Sequence, residues 1–321
     1  MRLWENGSVR KEPIAHVNKI IKLGCFKEMT LLTKPGYINI GGTLLDLNIP
    51  KVMGILNITP DSFYSGSRFD TDEKIISAAV KMVDEGADIL DVGGYSSRPG
   101  ASDISRDVEG RRVLRAIKLI RGELPESIIS VDTFRADIAE EAILECGANI
   151  INDISGGDAD SKMFSVVGKL NVPYIMMHMK GDPKSMQDNP VYEDVVADIL
   201  KWFGDRIVRL QSAGVKDIII DPGFGFGKTV DHNFELMRRL SDMSITGLPI
   251  LIGVSRKSMV WKTLNIPVED ALNGSTALHA IALFMGVDIL RVHDVKEAVQ
   301  TIQLVNRVLN SKLPTLKKHF I

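Results

Sequence analysis

The feature that most constrains this fold is a repeated alternation of short β-branched segments with longer amphipathic ones, beginning at Lys51. The short segments have the length and composition of buried strands, and the longer ones carry apolar residues near helical spacing. Strands are predicted over residues 52–56, 89–92, 128–131, 149–152, 174–177, 218–220, 250–253 and 289–292. Helices are predicted over residues 72–85, 108–121, 136–145, 191–213 and 295–309, with Gly86, Gly147 and Gly214 where carboxyl-terminal caps would lie.

Strict alternation repeated eight times predicts an α/β fold of the (β/α)8 or TIM-barrel type, because such barrels need about 250 residues. An open, doubly wound sheet is the alternative, but it usually has fewer consecutive units, and no dinucleotide-binding fingerprint follows the first strand. A Gly-Gly turn predicts a β-hairpin at about residues 37–47, where it would cap one end of the barrel. The predicted division is a peripheral amino-terminal extension, 1–35, and a barrel domain, 36–321.

Composition excludes several classes of partner. The chain has 39 Lys and Arg against 41 Asp and Glu, a net charge of −2 with both signs scattered, so nucleic acid is not an expected partner. No apolar run approaches the roughly 20 residues that cross a bilayer, and no signal-peptide core is visible, so we expect no membrane association. Cys25 and Cys146 form no Cys-x-x-Cys motif, which fits a reducing, cytoplasmic setting without disulfides or a thiolate metal site.

Polar side chains follow the predicted strands where each strand ends. In a parallel α/β protein these ends form the active site, so we expect the side chains to share one rim. Any single carboxylate among them would more often be a helix cap, but a series of eight predicts a shared site. The candidates are Asn57, Asp61, Asp91, Asp132, Asn152, Asp153, His178, Asp221, residues 255–257, Arg291 and His293.

A glycine-rich segment, Asp-Pro-Gly-Phe-Gly-Phe-Gly-Lys, occupies residues 221–228. It is not a phosphate-binding P-loop, because that motif requires glycine where Pro222 stands. Its glycines instead permit a sharp turn or the close approach of a flat ligand. Asp221 can accept hydrogen bonds from a ring amide and amino group, and Phe226 is a candidate either for ligand contact or for packing.

Cationic side chains on the same rim imply an anionic substrate group. Arg98, Lys257 and Arg291 stand among Gly, Pro, Ser and His at strand ends, where arginine forks and backbone donors bind oxyanions. His178 has no second histidine at metal-ligand spacing, so a structural zinc site is not expected. Asn57, together with a substrate diphosphate, would suit Mg²⁺, which often binds through few protein oxygens.

Taken together, these motifs closely resemble those of the dihydropteroate synthases, the pterin-binding enzymes of folate synthesis. The matching segments are Asn-Ile-Thr-Pro-Asp-Ser-Phe at 57–63, Ser-Arg-Pro-Gly at 97–100, Ser-Val-Asp-Thr-Phe-Arg at 130–135, Asn-Asp-Ile-Ser-Gly-Gly at 152–157, Met-His-Met at 177–179, the glycine-rich segment at 221–228, Ser-Arg-Lys-Ser at 255–258 and Arg-Val-His-Asp at 291–294. The resemblance implies a homodimeric TIM barrel that joins 4-aminobenzoate to 6-hydroxymethyl-7,8-dihydropterin diphosphate. The products would be 7,8-dihydropteroate and diphosphate, with Mg²⁺ assisting.

The resemblance also implies roles for the pocket residues. Three of them would bind the hydrogen-bonding edge of the pterin: Asp132, Asn152 and Asp221. Around the ring, Lys257 would contact the oxo side, Arg291 the ring face, and Met177 would line the slot. Asn57 would contact Mg²⁺ or diphosphate, and Arg291 with His293 would complete the anion pocket.

Two loops would order over the diphosphate and shape the 4-aminobenzoate site, to which Ser255 also contributes. The first loop contains Thr59, Asp61 and Phe63, and the second contains Ser97, Arg98 and Pro99. The expected catalytic residues are Asp132, Lys257 and Arg98.

Two positions depart from the family pattern. Ser97 replaces a common threonine but keeps the hydroxyl, whereas Tyr95 replaces a common acidic residue and leaves the hydrogen bonding of the second loop open. One rival interpretation is a pterin-dependent methyltransferase that passes a methyl group to a corrinoid protein; the segments at 97–100 and 255–258 favour the synthase. An inactive pterin-binding protein would be expected to have lost Asp61, Arg98 or Lys257, and all three are present.

Overall fold

The computed structural model describes residues 34–59, 71–96, 103–181, 186 and 190–311. Its strands are β1 (Tyr37–Ile40), β2 (Thr43–Asp46), β3 (Lys51–Asn57), β4 (Ile89–Gly93), β5 (Ile128–Asp132), β6 (Ile150–Asp153), β7 (Tyr174–Met177), β8 (Ile218–Asp221), β9 (Leu251–Ile252) and β10 (Ile289–Val292). Its α-helices are α1 (Asp72–Asp84), α2 (Arg106–Glu123), α3 (Ala136–Cys146), α4 (Met163–Leu170), α5 (Val195–Ser212), α6 (Val230–Arg238), α7 (Ser258–Leu264), α8 (Leu272–Phe284) and α9 (Val295–Leu309). Short 3-10 helices cover Leu240–Thr246 and Val268–Ala271.

The strands from β3 to β10 form one parallel sheet. They pair in the order β8-β7-β6-β5-β4-β3-β10-β9. A parallel bridge between Ile220 and Ile250 joins β8 to the residue before β9, and the Ile220 amide donates to the Pro249 carbonyl at 2.9 Å. The sheet therefore curls into a nearly closed barrel with helices between its strands. The predicted (β/α)8 barrel is confirmed, and the open-sheet alternative is wrong.

Local chemistry explains where the helices begin and end. Thr71 caps α1 by accepting from the Lys74 amide, and Asp194 caps α5 by accepting from the amides of Val196 and Ala197 at 2.9 Å. Gly147 ends α3 in the left-handed conformation, with φ at +84°, as its position predicts. Helix α5 therefore starts at Val195 rather than near residue 191. None of the helices in the described part of the chain is long and apolar enough to cross a membrane.

The antiparallel hairpin β1–β2 closes the amino-terminal end of the barrel. Its side chains Ile38, Ile40 and Leu47 pack on inward-facing apolar residues of the barrel strands, which include Met53, Ile89, Ile150, Ile175, Ile219, Leu251 and Ile289. Each such buried aliphatic side chain contributes about 1.5–3 kcal/mol. The hairpin prediction is confirmed. Residues 1–33 lie outside the described residues, so the division between extension and barrel domain stays a prediction.

Candidate active site

The strand register brings the polar residues together at the carboxyl-terminal end of the barrel. Asn57 pairs with Gly93, Gly93 with Asp132, and Asp132 with Asn152, while Met177 pairs with Asp221 further round the barrel. Side chains alternate along a strand, so polar residues lie two or more positions beyond the apolar layer on the same face. The apolar layer beneath the β1–β2 hairpin and the polar site thus lie at opposite ends of the barrel interior.

Arg291 lies at the centre of this site. Its Nε donates to Asp91 Oδ2 and its Nη2 to Asp132 Oδ2, both at 2.6 Å, and Asn152 Nδ2 donates to Asp91 Oδ2 at 3.0 Å. In each of these three contacts the two residues come from strands that are not neighbours in the sheet, so the contacts cross the barrel interior. Burial alone would lower the pKa of Arg291, but Asp91 and Asp132 outweigh it and the net shift is upward.

The two carboxylates expected at the pterin edge are desolvated. Burial raises the pKa of Asp132 to about 7, against the opposing effect of Arg291 and with added repulsion from Asp91. Burial also raises the pKa of Asp221, and Lys257 opposes that shift. Asp221 is oriented by the Gly223 amide, which donates to its Oδ1 at 2.8 Å. Two oriented carboxylates in a partly dry pocket are suited to accepting hydrogen bonds from a flat ring.

Lys257 lies over the glycine-rich segment. Its Nζ donates to the Phe224 carbonyl and stands 4.6 Å from the centre of the Phe226 ring. A side chain on Gly225 would press on this lysine, since a Cβ there would come within 3.2 Å of Lys257 Cδ. Burial lowers the pKa of Lys257 to about 8, although Asp221 acts to raise it. Phe226 therefore contacts a lysine of the candidate site rather than packing in the core.

Ser255 and His293 meet on the rim. The His293 amide donates to Ser255 Oγ at 3.2 Å, and His293 Nδ1 lies 3.1 Å from the same oxygen. Burial, together with the nearby Arg291 charge, lowers the pKa of His293 to about 4. At neutral pH this imidazole is therefore uncharged, and its N–H is a donor available to an anion.

Asn57 is placed to offer an oxygen ligand. A Cβ on Gly93 would lie 3.3 Å from Asp132 Oδ2 and 3.5 Å from Asn57 Oδ1, so the glycine spares both oxygens a close side-chain contact. The described ranges contain no group of three or more His, Cys, Asp or Glu side chains able to hold a metal by themselves. Hard oxygen donors that are too few for a protein-only site fit Mg²⁺ held jointly with substrate oxygens.

Several predicted candidates lie outside the pocket or outside the described residues. Asp153 accepts from Ser155 Oγ and from Tyr174 Oη, both at 2.7 Å, and anchors the loop after β6. His178 packs edge-on against Trp202, and Arg256 pairs with Asp294 through two contacts of 2.9 and 2.8 Å. Thr59 is buried at the end of the β3 segment. The predictions for Asp61, Phe63, Ser97, Arg98 and Pro99 fall outside the described residues.

Two buried charges behind the pocket carry no role in the sequence-based site. Glu109 is fully buried on α2, where it accepts from Thr133 Oγ1 at 2.6 Å and from Arg135 Nε at 2.8 Å. It supports the residues that follow Asp132. A signal was present, because Glu109 stands four and eight residues before Val113 and Ile117 on the buried face of α2. The second buried charge is Lys228, at the end of the glycine-rich segment.

The substituted residue Tyr95 also has defined partners. Its ring lies edge-on to Phe134 at 5.0 Å, and its hydroxyl forms a hydrogen bond with Asp103. Burial raises the Tyr95 pKa, and the Asp103 charge adds to the shift. Tyr95 thus hydrogen-bonds a residue just after the second loop, and the hydrogen bonding of residues 97–102 lies outside the described residues.

Known proteins resemble the chain over most of its length. The model of the pterin binding enzyme family matches residues 53–293. Dihydropteroate synthase of Escherichia coli is 41% identical over 273 residues, which is 84% of this chain and 96% of that protein. The Yersinia pestis dihydropteroate synthase structure with a sulfonamide drug superposes with a TM-score of 0.82 at 39% identity, covering 86% of this chain and all of that one. The Xanthomonas albilineans enzyme with 4-aminobenzoic acid gives 0.79 at 35% identity, covering 86% and 99%.

Barrel, ion-paired interior and glycine-rich segment together define a class, the (β/α)8 enzymes with a buried polar pocket at the carboxyl-terminal end of the barrel. The chain belongs to the pterin-binding enzyme family, among the dihydropteroate synthases.

Proposed function

We propose that the protein catalyses the dihydropteroate synthase reaction, joining 6-hydroxymethyl-7,8-dihydropterin diphosphate to 4-aminobenzoate with release of diphosphate. The observation that carries this proposal is the constellation in which Arg291 bridges Asp91 and Asp132 beside Asn152. It occurs in a chain that is 41% identical to a dihydropteroate synthase over nearly the whole of that enzyme.

The chemistry of the pocket matches a pterin ring. A pterin presents an amide N–H and an amino group, which are donors, next to an oxo group, which is an acceptor. We assign Asp221 and Asp132 as acceptors for those donors, Asn152 as a further edge contact, and Lys257 as the donor to the oxo group. The planar Arg291 guanidinium, fixed in orientation by its two carboxylates, supplies a surface for the ring face.

The pocket residues also suit the bond-breaking step. Loss of diphosphate leaves a cationic methylene conjugated to the ring, and nearby carboxylates favour that cation. Asn57 and diphosphate oxygens would hold Mg²⁺, whose charge neutralises the leaving group when it is bound. The arylamine nitrogen then forms a C–N bond to the methylene and passes one proton to solvent, so no nucleophilic side chain is required. Arg98 and the two loop segments are assigned to the diphosphate and 4-aminobenzoate from sequence alone.

We also propose a homodimer formed through the faces of α7, α8 and α9. Six large apolar side chains there have between 43 and 71% of their surface exposed: Leu264, Ile281, Phe284, Leu304, Val308 and Leu309. Exposed apolar side chains gathered on neighbouring helices are typical of interaction sites, and a second copy of the chain is the occupant proposed here. We further propose a cytoplasmic location for the protein, which is supported by the balanced charge of the chain and by the unbridged, buried Cys146.

Turnover is the direct test. Purified protein is mixed with the pterin diphosphate, 4-aminobenzoate and Mg²⁺, and both dihydropteroate and diphosphate are measured. Equal amounts of the two products are expected. Tight pterin binding without diphosphate release would instead indicate a catalytically inactive pterin-binding protein.

A further inference from the structure

The glycine-rich segment ends in a buried lysine that the reaction chemistry does not use. Lys228 is 2% exposed. Its Nζ donates to the carbonyls of Gly223 and Phe226 at 2.9 and 3.0 Å and lies 3.0 Å from His178 Nδ1. It also has a longer contact of 3.5 Å to the His178 carbonyl, so among the described residues its hydrogen-bond partners are all neutral and are enough for the three N–H donors of an ammonium.

The backbone of residues 223–227 curls around this ammonium. Gly223, Gly225 and Gly227 all have positive φ, at +69°, +81° and +60°. A Cβ on Gly223 would overlap the His178 carbonyl, and one on Gly227 would overlap the Lys180 carbonyl. The segment is therefore packed tightly against residues 178–180, and Lys228 joins the two by its contacts to both.

The opposite side of the same turn faces Lys257. The Phe224 carbonyl accepts from Lys257 Nζ, and the Phe226 ring lies beneath it at 4.6 Å. Phe224 is next to Gly223, whose carbonyl accepts from Lys228, and Phe226 itself offers its carbonyl to Lys228. The Asn233 side chain supports the turn from α6, where its Oδ1 accepts from the Gly225 amide at 2.7 Å.

We propose that Lys228 is a positioning residue for pterin binding, which acts by holding the 223–227 turn so that Phe224 and Phe226 place the Lys257 ammonium at the ring. The proposal rests on the proposed role of Lys257. Lys228 also differs from the lysine of a phosphate-binding loop in its contacts, since it donates to carbonyls of its own segment and lies beside His178. Burial of the Lys228 ammonium lowers its pKa well below the usual value, with Asp221 opposing the shift.

A double-mutant cycle on pterin affinity tests this. Calorimetry with 6-hydroxymethylpterin compares wild type, Lys228→Met, Lys257→Ala and the double variant, with Lys216→Met, an exposed lysine before β8, as the matched control. Methionine keeps the length of the side chain and removes its donors. Lys228→Met should raise Kd about tenfold or more, since small misplacements of binding groups have effects of that size. The double variant should bind within about twofold of Lys257→Ala, because two residues acting through one contact are not additive.

Different results identify different errors. Unchanged affinity in Lys257→Ala would remove Lys257 from the pterin site, and the proposed site assignment would fail. If Lys257→Ala does weaken binding, two results would overturn the positioning role. One is wild-type affinity in Lys228→Met. The other is a loss of affinity in the double variant equal to the product of the two single losses. If Lys228→Met does not fold, Lys228→Gln, which retains two N–H donors, takes its place in the cycle. Failure of both to fold would assign Lys228 to folding and also overturn the proposal.

Discussion

Replacing Asp221 by asparagine is a sharp test of the pterin site, because the structure dictates how the amide must orient. The Gly223 amide donates to Asp221 Oδ1 at 2.8 Å in the buried end of β8. In Asp221→Asn the single oxygen can stay with Gly223, which turns the amide NH₂ toward the ring. It can instead face the ring, which leaves the Gly223 N–H without an acceptor.

Both orientations reduce affinity, and the less unfavourable one sets the magnitude. Facing the ring leaves one buried N–H unpaired, at about 1–3 kcal/mol. Facing Gly223 sets donor against donor at the ring and also forfeits a charge-assisted hydrogen bond, about 1.5–3 kcal/mol before any repulsion is counted. The expected loss of binding free energy is therefore about 1–3 kcal/mol, which raises the Kd for a pterin roughly 5- to 150-fold.

Calorimetry with 6-hydroxymethylpterin measures this loss, and thermal unfolding verifies that the variant is folded. Asp217→Asn provides the matched control, because Asp217 precedes the same strand at the opposite end of the barrel, where its Oδ1 accepts from the Asn39 amide at 3.2 Å. The control should bind as wild type does. Wild-type affinity in Asp221→Asn would show that this carboxylate does not contact the ring, and the orientation argument would be refuted.

Three further outcomes are expected. Lys257→Ala should lower turnover and pterin affinity with little change in melting temperature. Lys262→Ala, at an exposed lysine on the helix that follows Lys257, should change neither turnover nor affinity; a large fall in melting temperature with normal kinetics in Lys257→Ala would indicate a structural lysine. Because burial raises the pKa of Asp132 to about 7 and lowers that of Lys257 to about 8, kcat/KM for the pterin should rise as Asp132 ionises and fall as Lys257 loses its proton, and a pH profile without both limbs would contradict this. Phe284→Glu should yield monomers in light scattering while Leu144→Glu, on exposed α3 surface, should not; an unchanged mass for both would exclude the α7–α9 face as the interface.

Much of the fold was predictable because its signals are local. The Ile- and Val-rich runs, the glycine caps and the Gly-Gly turn each act over a few residues, and eight repeats permit essentially one closed arrangement. The strand at β9 is an exception. Residues 250–253 predict four strand residues, but only Leu251 and Ile252 form the strand, while Ile250 makes an isolated bridge to Ile220.

Within the site, sequence position alone determined which residues reach the rim, and alternation along the strand decided which of them face inward. Asn152 and Asp153 are adjacent, yet Asn152 donates to Asp91 across the barrel while Asp153 accepts from Tyr174 on the other side of the sheet. Only closure of the barrel brings Arg291 between Asp91 and Asp132, which are 200 and 159 positions away in the chain. Desolvation follows from that closure, so the raised pKa of Asp132 and the lowered pKa of Lys257 are properties of the tertiary structure and of no local motif.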